Sequence, residues 1–303
     1  MNKDVKHYLA IDIGGTQIKI ALINGSGQIL EKNSRMTPDN LSDFKTVLEE
    51  IISSYHETIR GVAFCCPGKV DTKTGQVEFG GSLMYLHLFN FADFVAEKFQ
   101  LTATAINDGK AAALSELWLG NLKDIDNGVA IILGTGIGGG LIVDGQLVGG
   151  QHFRAGEFSF IATSDTDSSL EQIMGMKGSA VAMIEACATA LDLEDKKDGR
   201  QVFEYINKKD QRVYPIFQSY CNIIAHLIYN VQAVLDMKRV VIGGGISSQP
   251  ILIEEMKRQY DQILDNLGPL KFMVSPVEIQ ACAFGNEANL LGALYQYLLN
   301  HEN

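Results

Sequence analysis

The sequence has few of the features that mark secreted, metal-stapled or membrane-spanning proteins. Its 303 residues contain only five cysteines, and no Cys-x-x-Cys pair occurs. A disulfide framework and a zinc ribbon are therefore not expected, and free thiols are typical of a reducing cytoplasm. Residues 1–7 are polar and lead directly into an apolar segment, so no signal peptide is predicted. The longest weakly polar stretch, residues 128–143, contains six glycines and is too short to span a membrane. We expect a cytoplasmic protein without membrane contacts.

Positive charge is also scarce. The chain has 25 Lys and Arg against 36 Asp and Glu, a net charge of −11. A nucleic-acid surface needs a basic face, so direct binding of nucleic acid is not expected. A small anionic ligand held by backbone amides and a divalent metal remains compatible with this balance.

The length indicates about two domains, and 46% hydrophobic residues exclude wholesale disorder.

One pattern of segments occurs twice along the chain. An apolar segment, a glycine loop, a second apolar segment and a Gly-containing turn follow one another in residues 8–32 and again in residues 129–150. The glycine loops are predicted at residues 14–16 and 134–140, each between two strands. This duplication predicts an α/β protein with two similar domains that face each other.

Helical periodicity and turn signals complete the outline. Helices are predicted over residues 41–55, 91–99, 107–119, 169–193, 213–235 and 286–299, with further strands at 61–66, 102–106 and 239–242. No low-complexity linker interrupts the chain. We therefore predict a smaller domain at residues 1–115, completed by a C-terminal helix at about 286–303, and a larger domain at residues 116–285.

The second glycine loop formally matches a dinucleotide fingerprint. Gly134, Gly136 and Gly139 have the required spacing, but a strand and turn follow them instead of the helix that would hold a pyrophosphate. A nicotinamide cofactor is therefore not favoured, and no Walker A lysine is present. Either glycine loop taken alone is equally compatible with a tight turn.

Glycine-rich hairpins can nevertheless hold phosphate, because their amides approach an anion closely and form a concave site. Two such hairpins are predicted to hold one polyphosphate. Asp12 precedes the first loop and could hold Mg²⁺ directly or through water, while Thr16 adds a hydroxyl donor. A third glycine run, Gly243, Gly244 and Gly245, lies at a strand end where an adenine or ribose could approach the backbone.

Five motifs taken together resemble the ROK family, whose members are sugar kinases and repressors. The motifs are Asp12-Ile-Gly-Gly-Thr16, Asn107-Asp108, Gly134-Thr-Gly-Ile-Gly-Gly139, Ala155-Gly-Glu157 and Gly243-Gly-Gly245. The resemblance covers essentially the whole chain. It implies a two-domain actin-like or hexokinase fold with an interdomain cleft, ATP and Mg²⁺ as cofactors, and a homodimer. It also implies a nucleotide site comprising Asp12, Ile13, Gly14, Gly15, Thr16, Gln17, Gly134, Thr135, Gly136, Gly138, Gly139, Gly243, Gly244 and Gly245.

A sugar kinase must deprotonate the attacking hydroxyl, and Asp108 is the best candidate for this base. It follows a predicted strand and precedes a predicted helix, with Asn107 beside it. The alternative is that Asn107 or Asp108 only caps the helix. The other motifs favour the base, and the resemblance implies that Asn107 binds a sugar hydroxyl.

The resemblance also implies further sugar ligands. Glu157 would accept hydrogen bonds from sugar hydroxyls, and its apolar neighbours argue against a fully solvated side chain. Glu171 occupies a place where the family often has a second such glutamate. Gly81 and Asn90 lie in a loop that could close over the sugar, although Gly81 could also be only a turn.

The sequence departs from the family pattern at Phe160, where many ROK kinases have a histidine followed by zinc-binding cysteines. Residues 161–186 contain no cysteine, so no structural zinc is expected. The loss of the histidine implies a differently shaped site at the anomeric end of the sugar, or one open to a substituent. The branch that shares these features is the bacterial β-glucoside kinases, which phosphorylate the 6-hydroxyl of glucosides such as cellobiose. A glucokinase or an N-acetylmannosamine kinase is the alternative within this class.

Two readings from other classes are less well supported. Repressors of this family carry a helix-turn-helix domain before the first glycine hairpin, and here the hairpin strand begins at Tyr8. A sugar-sensing regulator that acts through a partner stays open. A chaperone-type ATPase of the same superfamily would lack the set formed by Asn107, Asp108 and Glu157, and the chain is short for one.

Overall fold

The computed structural model describes residues 6–302. The strands are β1 (His7–Ile13), β2 (Gln17–Asn24), β3 (Ile29–Met36), β4 (Gly61–Cys66), β5 (Lys69–Asp71), β6 (Gln76–Phe79), β7 (Thr102–Asn107), β8 (Gly128–Leu133), β9 (Ile137–Val143), β10 (Gln146–Leu147), β11 (Arg239–Gly244) and β12 (Glu278–Ala281). The helices are α1 (Leu41–Tyr55), α2 (Phe91–Phe99), α3 (Asp108–Trp118), α4 (Met174–Lys177), α5 (Ala180–Ala190), α6 (Gly199–Asn207), α7 (Tyr214–Leu235), α8 (Pro250–Asn266) and α9 (Ala288–His301).

These elements form two compact units. Of the described residues, the first contains 6–123, Leu147–Ala155 and 286–302; the second contains Asp124–Gln146 and Gly156–Gly285. The boundary expected near residue 115 falls inside α3. The whole of α3 lies in the first unit.

Each unit has a mixed five-stranded sheet with the same strand order. The order is β3-β2-β1-β4-β7 in the first sheet and β10-β9-β8-β11-β12 in the second. In the first sheet β1 pairs antiparallel with β2 and parallel with β4, and in the second β8 pairs antiparallel with β9 and parallel with β11. The predicted internal duplication and α/β class are therefore confirmed.

Aromatic side chains fill much of the first unit's core. Phe64 on β4 stacks on Phe91 of α2 with ring centroids 4.4 Å apart, and Phe44 of α1 meets Phe91 edge-on. The strand β4 is buried along its full length, which explains its continuous apolar sequence. The second unit's core lies between its sheet and helices α5 to α8.

The C-terminal helix α9 packs directly against α3 in the first unit. A Cβ atom on Gly292 would lie 1.7 Å from the carbonyl oxygen of Ala111, so only glycine allows the two backbones to approach this closely. The hydroxyl of Tyr297 lies 2.5 Å from that of Thr102 on β7. This packing fixes α3, and with it the residues at its N-terminus.

Two sequence-based predictions need correction. The helix predicted over residues 169–193 is divided into a 3₁₀ turn (Leu170–Gln172), α4 and α5, because Ser179 caps a new helix and Gly178 lies against Ile137 where a Cβ would overlap. The loop predicted over residues 134–140 ends at Ile137, where β9 begins. Gly138, Gly139 and Gly140 lie in the strand, where β9 passes close to the Ala130 carbonyl of β8.

Among the helices within residues 6–302, none is both long and apolar enough to cross a membrane.

Candidate active site

The carboxyl ends of three parallel strands bring Asp12 and Asp108 to the same edge of the first sheet. Asp12 on β1 is paired in register with Cys65 on β4, and Cys66 is paired with Asn107 on β7. Asp108 follows Asn107 directly and begins α3. Ligands of open α/β sheets bind at this edge, so the fold itself places both acids where a ligand can be held.

Asp12 is buried, with 5% of its surface exposed, and its carboxylate is held on both sides. Asn289, near the start of α9, donates its side-chain amide to Oδ1 at 3.2 Å. Lys19 on β2 lies 3.4 Å from Oδ2. These contacts fix the orientation of the carboxylate. Sequence analysis did not select Asn289 or Lys19, although Asn289 lies in the first turn of the predicted C-terminal helix.

Asn107 and Asp108 have different roles at the start of α3. Asn107 is buried and caps the helix: its Oδ1 accepts from the Lys110 backbone amide at 3.3 Å, and its Nδ2 donates to the Gly68 carbonyl at 2.9 Å. Asp108 is exposed, and its Oδ1 accepts from the Gly109 amide at 2.8 Å. The capping alternative therefore describes Asn107, whereas Asp108 presents an accessible carboxylate.

The pKa values of the two cysteines on β4, Cys65 and Cys66, are affected by burial and by both acids. Burial raises the pKa of the Cys65 thiol well above its usual range, and the charges of Asp12 and Asp108 raise it further. The pKa of Cys66 is raised by the same three causes, with burial the largest. Both thiols therefore stay protonated at neutral pH.

The first glycine hairpin lies at this edge. The amide of Gly14 donates to the Gln17 carbonyl at 3.0 Å and closes the turn between β1 and β2. Gly15, Thr16 and Gln17 are exposed, whereas Ile13 is buried in the strand. Ile13 can therefore contribute only backbone atoms to a ligand, and the exposed turn residues are available to one.

The second unit has a corresponding hairpin between β8 and β9, with a turn one residue shorter. The amide of Gly134 donates to the Gly136 carbonyl at 3.0 Å, and Thr135 is exposed at the tip. Gly138 and Gly139, which were expected in the loop, lie in β9. A Cβ on Gly139 would lie 2.2 Å from the Ala130 carbonyl, so this glycine is required for strand pairing.

The third glycine run lies beside the second hairpin. Gly244 on β11 is paired in register with Leu133, the residue before Gly134. Gly243 is buried, whereas Gly244 and Gly245 are exposed, and Gly245 has open space where a Cβ would be. The carboxyl edge of the second sheet therefore brings together the turn at residues 134–136, with Thr135 exposed at its tip, and the exposed Gly244 and Gly245. This arrangement fits a nucleotide.

Glu157 and Glu171 lie on one segment of the second unit. Glu157 is half-buried and precedes a 3₁₀ turn (Phe158–Phe160), and Glu171 is exposed in the turn that precedes α4. Hydrogen bonds from its own backbone amide and from Ser169 lower the pKa of Glu171. Both glutamates are accessible to a polar ligand.

Ser159 connects this segment to the second hairpin. Its hydroxyl accepts from the Ile137 amide at 2.8 Å and donates to the Ile137 carbonyl at 3.1 Å. A Cβ on Gly136 would lie 2.7 Å from this hydroxyl, which explains why position 136 is glycine. Sequence analysis did not identify Ser159, because no local pattern distinguishes it from other serines.

Gly81 and Asn90 have clear structural roles. Gly81 has a φ of +59°, and a Cβ there would lie 3.0 Å from the backbone of Gly68. The Oδ1 of Asn90 caps α2 by accepting from the amides of Ala92 and Asp93. The structure thus accounts for both residues without a ligand, and their part in sugar binding stays a prediction.

No group of three or more His, Cys, Asp or Glu side chains in residues 6–302 is arranged to hold a metal ion. For Mg²⁺ bound together with a nucleotide, Asp12 is the fitting residue, because a single fixed carboxylate and water suit this ion.

Comparison with known proteins places the chain in a family. The sequence profile of the ROK family matches residues 8–299. A β-glucoside kinase from Listeria monocytogenes is 28% identical over 293 residues, which cover 95% of this chain and 96% of the relative. An N-acetylmannosamine kinase from Haemophilus influenzae is 26% identical over 303 residues, which cover 95% of this chain and 94% of the relative.

A solved structure agrees with these relatives. The crystal structure of a ROK family protein from Streptococcus pneumoniae in complex with sucrose has a TM-score of 0.88 and 30% identity, and the match covers 98% of this chain and 99% of that one. The expected two-domain fold of the ROK and hexokinase type is confirmed. Because the family profile spans both units and almost the whole length, this chain belongs to the ROK family.

Proposed function

We infer that this protein is an ATP-dependent sugar kinase that phosphorylates the 6-hydroxyl of a glucosyl unit in β-glucosides such as cellobiose. The observation that carries this proposal is the position of Asp108, an exposed carboxylate at the edge where β1 presents Asp12 and the first glycine hairpin. The β-glucoside kinase relative and the sucrose complex of a ROK family protein support a substrate with a group on its anomeric carbon.

Asp108 acts as the general base in this proposal. It accepts the proton of the sugar's 6-hydroxyl while that oxygen attacks the phosphoryl group. The N-cap bond of Asn107 and the short bond to the Gly109 amide hold the carboxylate at the start of α3. ATP supplies the phosphoryl group when bound, and Mg²⁺ neutralises its charge.

The glycine segments would supply the phosphate contacts. Gly14, Gly15, Thr16 and Gln17 offer backbone amides and one hydroxyl in the first unit. Gly134, Thr135 and Gly136 offer the same in the second, where Gly244 and Gly245 leave room for a nucleoside. Asp12, fixed by Asn289 and Lys19, would hold Mg²⁺ directly or through water. Such preorganised dipoles suit an acidic protein, because they supply the positive potential that its side chains lack.

Sugar recognition would fall mainly to Glu157 and Glu171, with Asn107, Gly81 and Asn90 in supporting roles. Carboxylates accept hydrogen bonds from the hydroxyls of a sugar ring, and both glutamates are accessible. We propose no structural zinc, and we propose a homodimer as in the family. An N-acetylmannosamine kinase or a glucokinase is the same-class alternative, and the Haemophilus relative supports the first of these.

A panel of sugars tests the proposal. ATP consumption is measured with glucose, N-acetylmannosamine, cellobiose and gentiobiose, and the phosphorylated position is assigned by ³¹P and ¹H NMR. We expect the two disaccharides to give the highest kcat/KM, with phosphate on the 6-position of the non-reducing glucose. A preference for glucose or N-acetylmannosamine would establish the same-class alternative. Equal, background rates with every sugar would contradict the kinase and favour a sugar sensor.

A further inference from the structure

Three large apolar side chains are exposed on the segment that carries the proposed sugar-binding glutamates. Phe160 is 64% exposed, Leu170 is 66% exposed and Met176 is 52% exposed. Single exposed apolar residues are ordinary, whereas three of them within residues 160–176 make this segment a candidate binding surface. We call these three residues the apolar patch.

Backbone hydrogen bonds join the two arms of this segment. Ala162 and Ile173 form an antiparallel bridge, the Met174 amide donates to the Ile161 carbonyl at 2.8 Å, and the Thr163 amide donates to the Gln172 carbonyl at 2.8 Å. Phe160 immediately precedes the first arm, and Met176 follows the second. The patch is therefore part of a defined structure and not a set of unrelated surface residues.

The same segment carries the proposed sugar ligands. Glu157 lies three residues before Phe160, and the two are joined by a backbone hydrogen bond: the Phe160 amide donates to the Glu157 carbonyl at 3.2 Å. Glu171 directly follows Leu170. Ser159, the residue before Phe160, is hydrogen-bonded to Ile137 of the second glycine hairpin. A sugar bound by these glutamates would therefore have apolar surface next to it.

We propose that the apolar patch is the subsite for the aglycone of a β-glucoside, the group attached to the anomeric carbon. This inference rests on the proposed kinase function and specifies its substrate class. The aglycone it would accept has an apolar face: an aryl ring or the C–H face of a second pyranose. Aromatic and sulphur-containing side chains bind such faces well, and a free monosaccharide has no group to place there.

The chain provides a matched control surface. Leu270, Phe272 and Met273 are also exposed, at 61%, 86% and 83%, in the 3₁₀ helix Gly268–Met273 of the same unit. These residues repeat the Leu, Phe and Met composition of the patch, and that 3₁₀ helix contains none of the proposed site residues. Truncating them tests what the loss of an exposed apolar group does in general.

The test compares Phe160→Ala with Phe272→Ala on two substrates. Kd and KM are measured for phenyl β-glucoside and for methyl β-glucoside, with Kd determined by calorimetry without ATP. We expect Phe160→Ala to weaken phenyl β-glucoside about tenfold and to leave methyl β-glucoside and the KM for ATP within about twofold, as judged from typical aromatic contact energies. Phe272→Ala should change neither substrate.

Several outcomes would overturn the inference. Equal losses on both glucosides would assign Phe160 a general structural role, and no loss on either would remove it from the subsite. A change in oligomeric state by sedimentation would assign the patch to contact with a second copy. If Phe160→Ala does not fold, Leu170→Ala with Leu270→Ala as its control answers the same question. If the wild type binds and phosphorylates no glucoside, the proposed function fails and this inference with it. If the wild type phosphorylates glucosides but Phe160→Ala does not weaken phenyl β-glucoside more than methyl β-glucoside, only this inference is contradicted.

Discussion

A Cβ atom on Gly244 would lie 2.0 Å from the carbonyl oxygen of Leu133, its partner in the parallel pairing of β11 with β8. The φ of Gly244 is +100°, a region that residues with side chains rarely adopt. Two independent constraints therefore require glycine here. Glycine here lets the end of β11 pack against Leu133, the residue that directly precedes Gly134 of the second glycine hairpin.

We expect Gly244→Ala to destabilise the protein by about 1–3 kcal/mol from backbone strain alone, with overlap adding to it. It should also weaken nucleotide binding, because the strand end must move. Urea unfolding and nucleotide titration measure the two effects. Gly245→Ala is the control for stability, since a Cβ at that position has no protein atom within 4 Å. Equal stability of the two variants would show that β11 adjusts freely.

The duplicated pattern could be predicted from the sequence because each copy is local. Apolar strands flanking Gly14 and Gly134 have alternation and turn signals that do not depend on the rest of the chain, and both hairpins are present as predicted. The resemblance at Asp12, Asn107 and Asp108 likewise selected residues that the fold brings to one sheet edge. Local signals and family motifs therefore gave the architecture and the main acids.

The remaining features depend on contacts between distant residues. The assignment of Leu147–Ala155 to the first unit accompanies a 2.9 Å bond from the buried Lys110 ammonium to the Phe153 carbonyl, 43 residues away. The break before α5 depends on Gly178 lying against Ile137 of another element. Periodicity within a segment contains no information about such partners, so these features required the structure.

Replacement of Asp108 by Asn tests the proposed base. Asp108→Asn keeps the side-chain shape but removes the proton acceptor, so we expect turnover to fall by roughly 10²–10⁴. The KM for sugar and the affinity for ATP should change little. Steady-state kinetics and calorimetry measure these quantities.

The control for Asp108 is Asp93→Asn. Asp93 is also an exposed acid in the first turn of a helix, in this case α2. Both substitutions remove a charge that favours a helix N-terminus, so both should lower Tm by a similar small amount. Turnover should stay normal in Asp93→Asn. Near-normal kcat in Asp108→Asn would exclude Asp108 as the base.

Glu255 should give the fold an acid-sensitive component. Burial by itself raises the pKa of this carboxyl, but hydrogen bonds from Arg258, Gln259 and Gln218 together outweigh burial and lower the pKa below its usual value of 4.5. A lowered pKa in the folded state stabilises the protein above the unfolded-state pKa, and this stabilisation is lost as the pH falls through the folded-state value.

Glu255→Gln should therefore be less stable than the wild type at pH 7, and the difference should shrink as the pH falls below about 4.5. Urea unfolding at a series of pH values measures this difference in the free energy of unfolding. Glu254→Gln, at the adjacent exposed position, is the control and should leave the free energy of unfolding at pH 7 within about 0.5 kcal/mol of the wild type. A constant difference between Glu255→Gln and the wild type from pH 7 to pH 3 would contradict the assigned ionisation.

Ser159 should couple the stability of the second glycine hairpin to its affinity for nucleotide. Ser159→Ala removes the acceptor of the buried Ile137 amide, and an unpaired buried amide costs about 1–3 kcal/mol. Because Ile137 begins β9, the hairpin should loosen and the KM for ATP should rise more than the KM for sugar. Ser168→Ala, at an exposed position on the same segment, should leave stability within about 0.5 kcal/mol of the wild type. If Ser159→Ala is clearly destabilised but its KM for ATP is unchanged, the stability of the hairpin does not affect nucleotide binding. That result would count against the proposal that this hairpin contacts the phosphates of ATP.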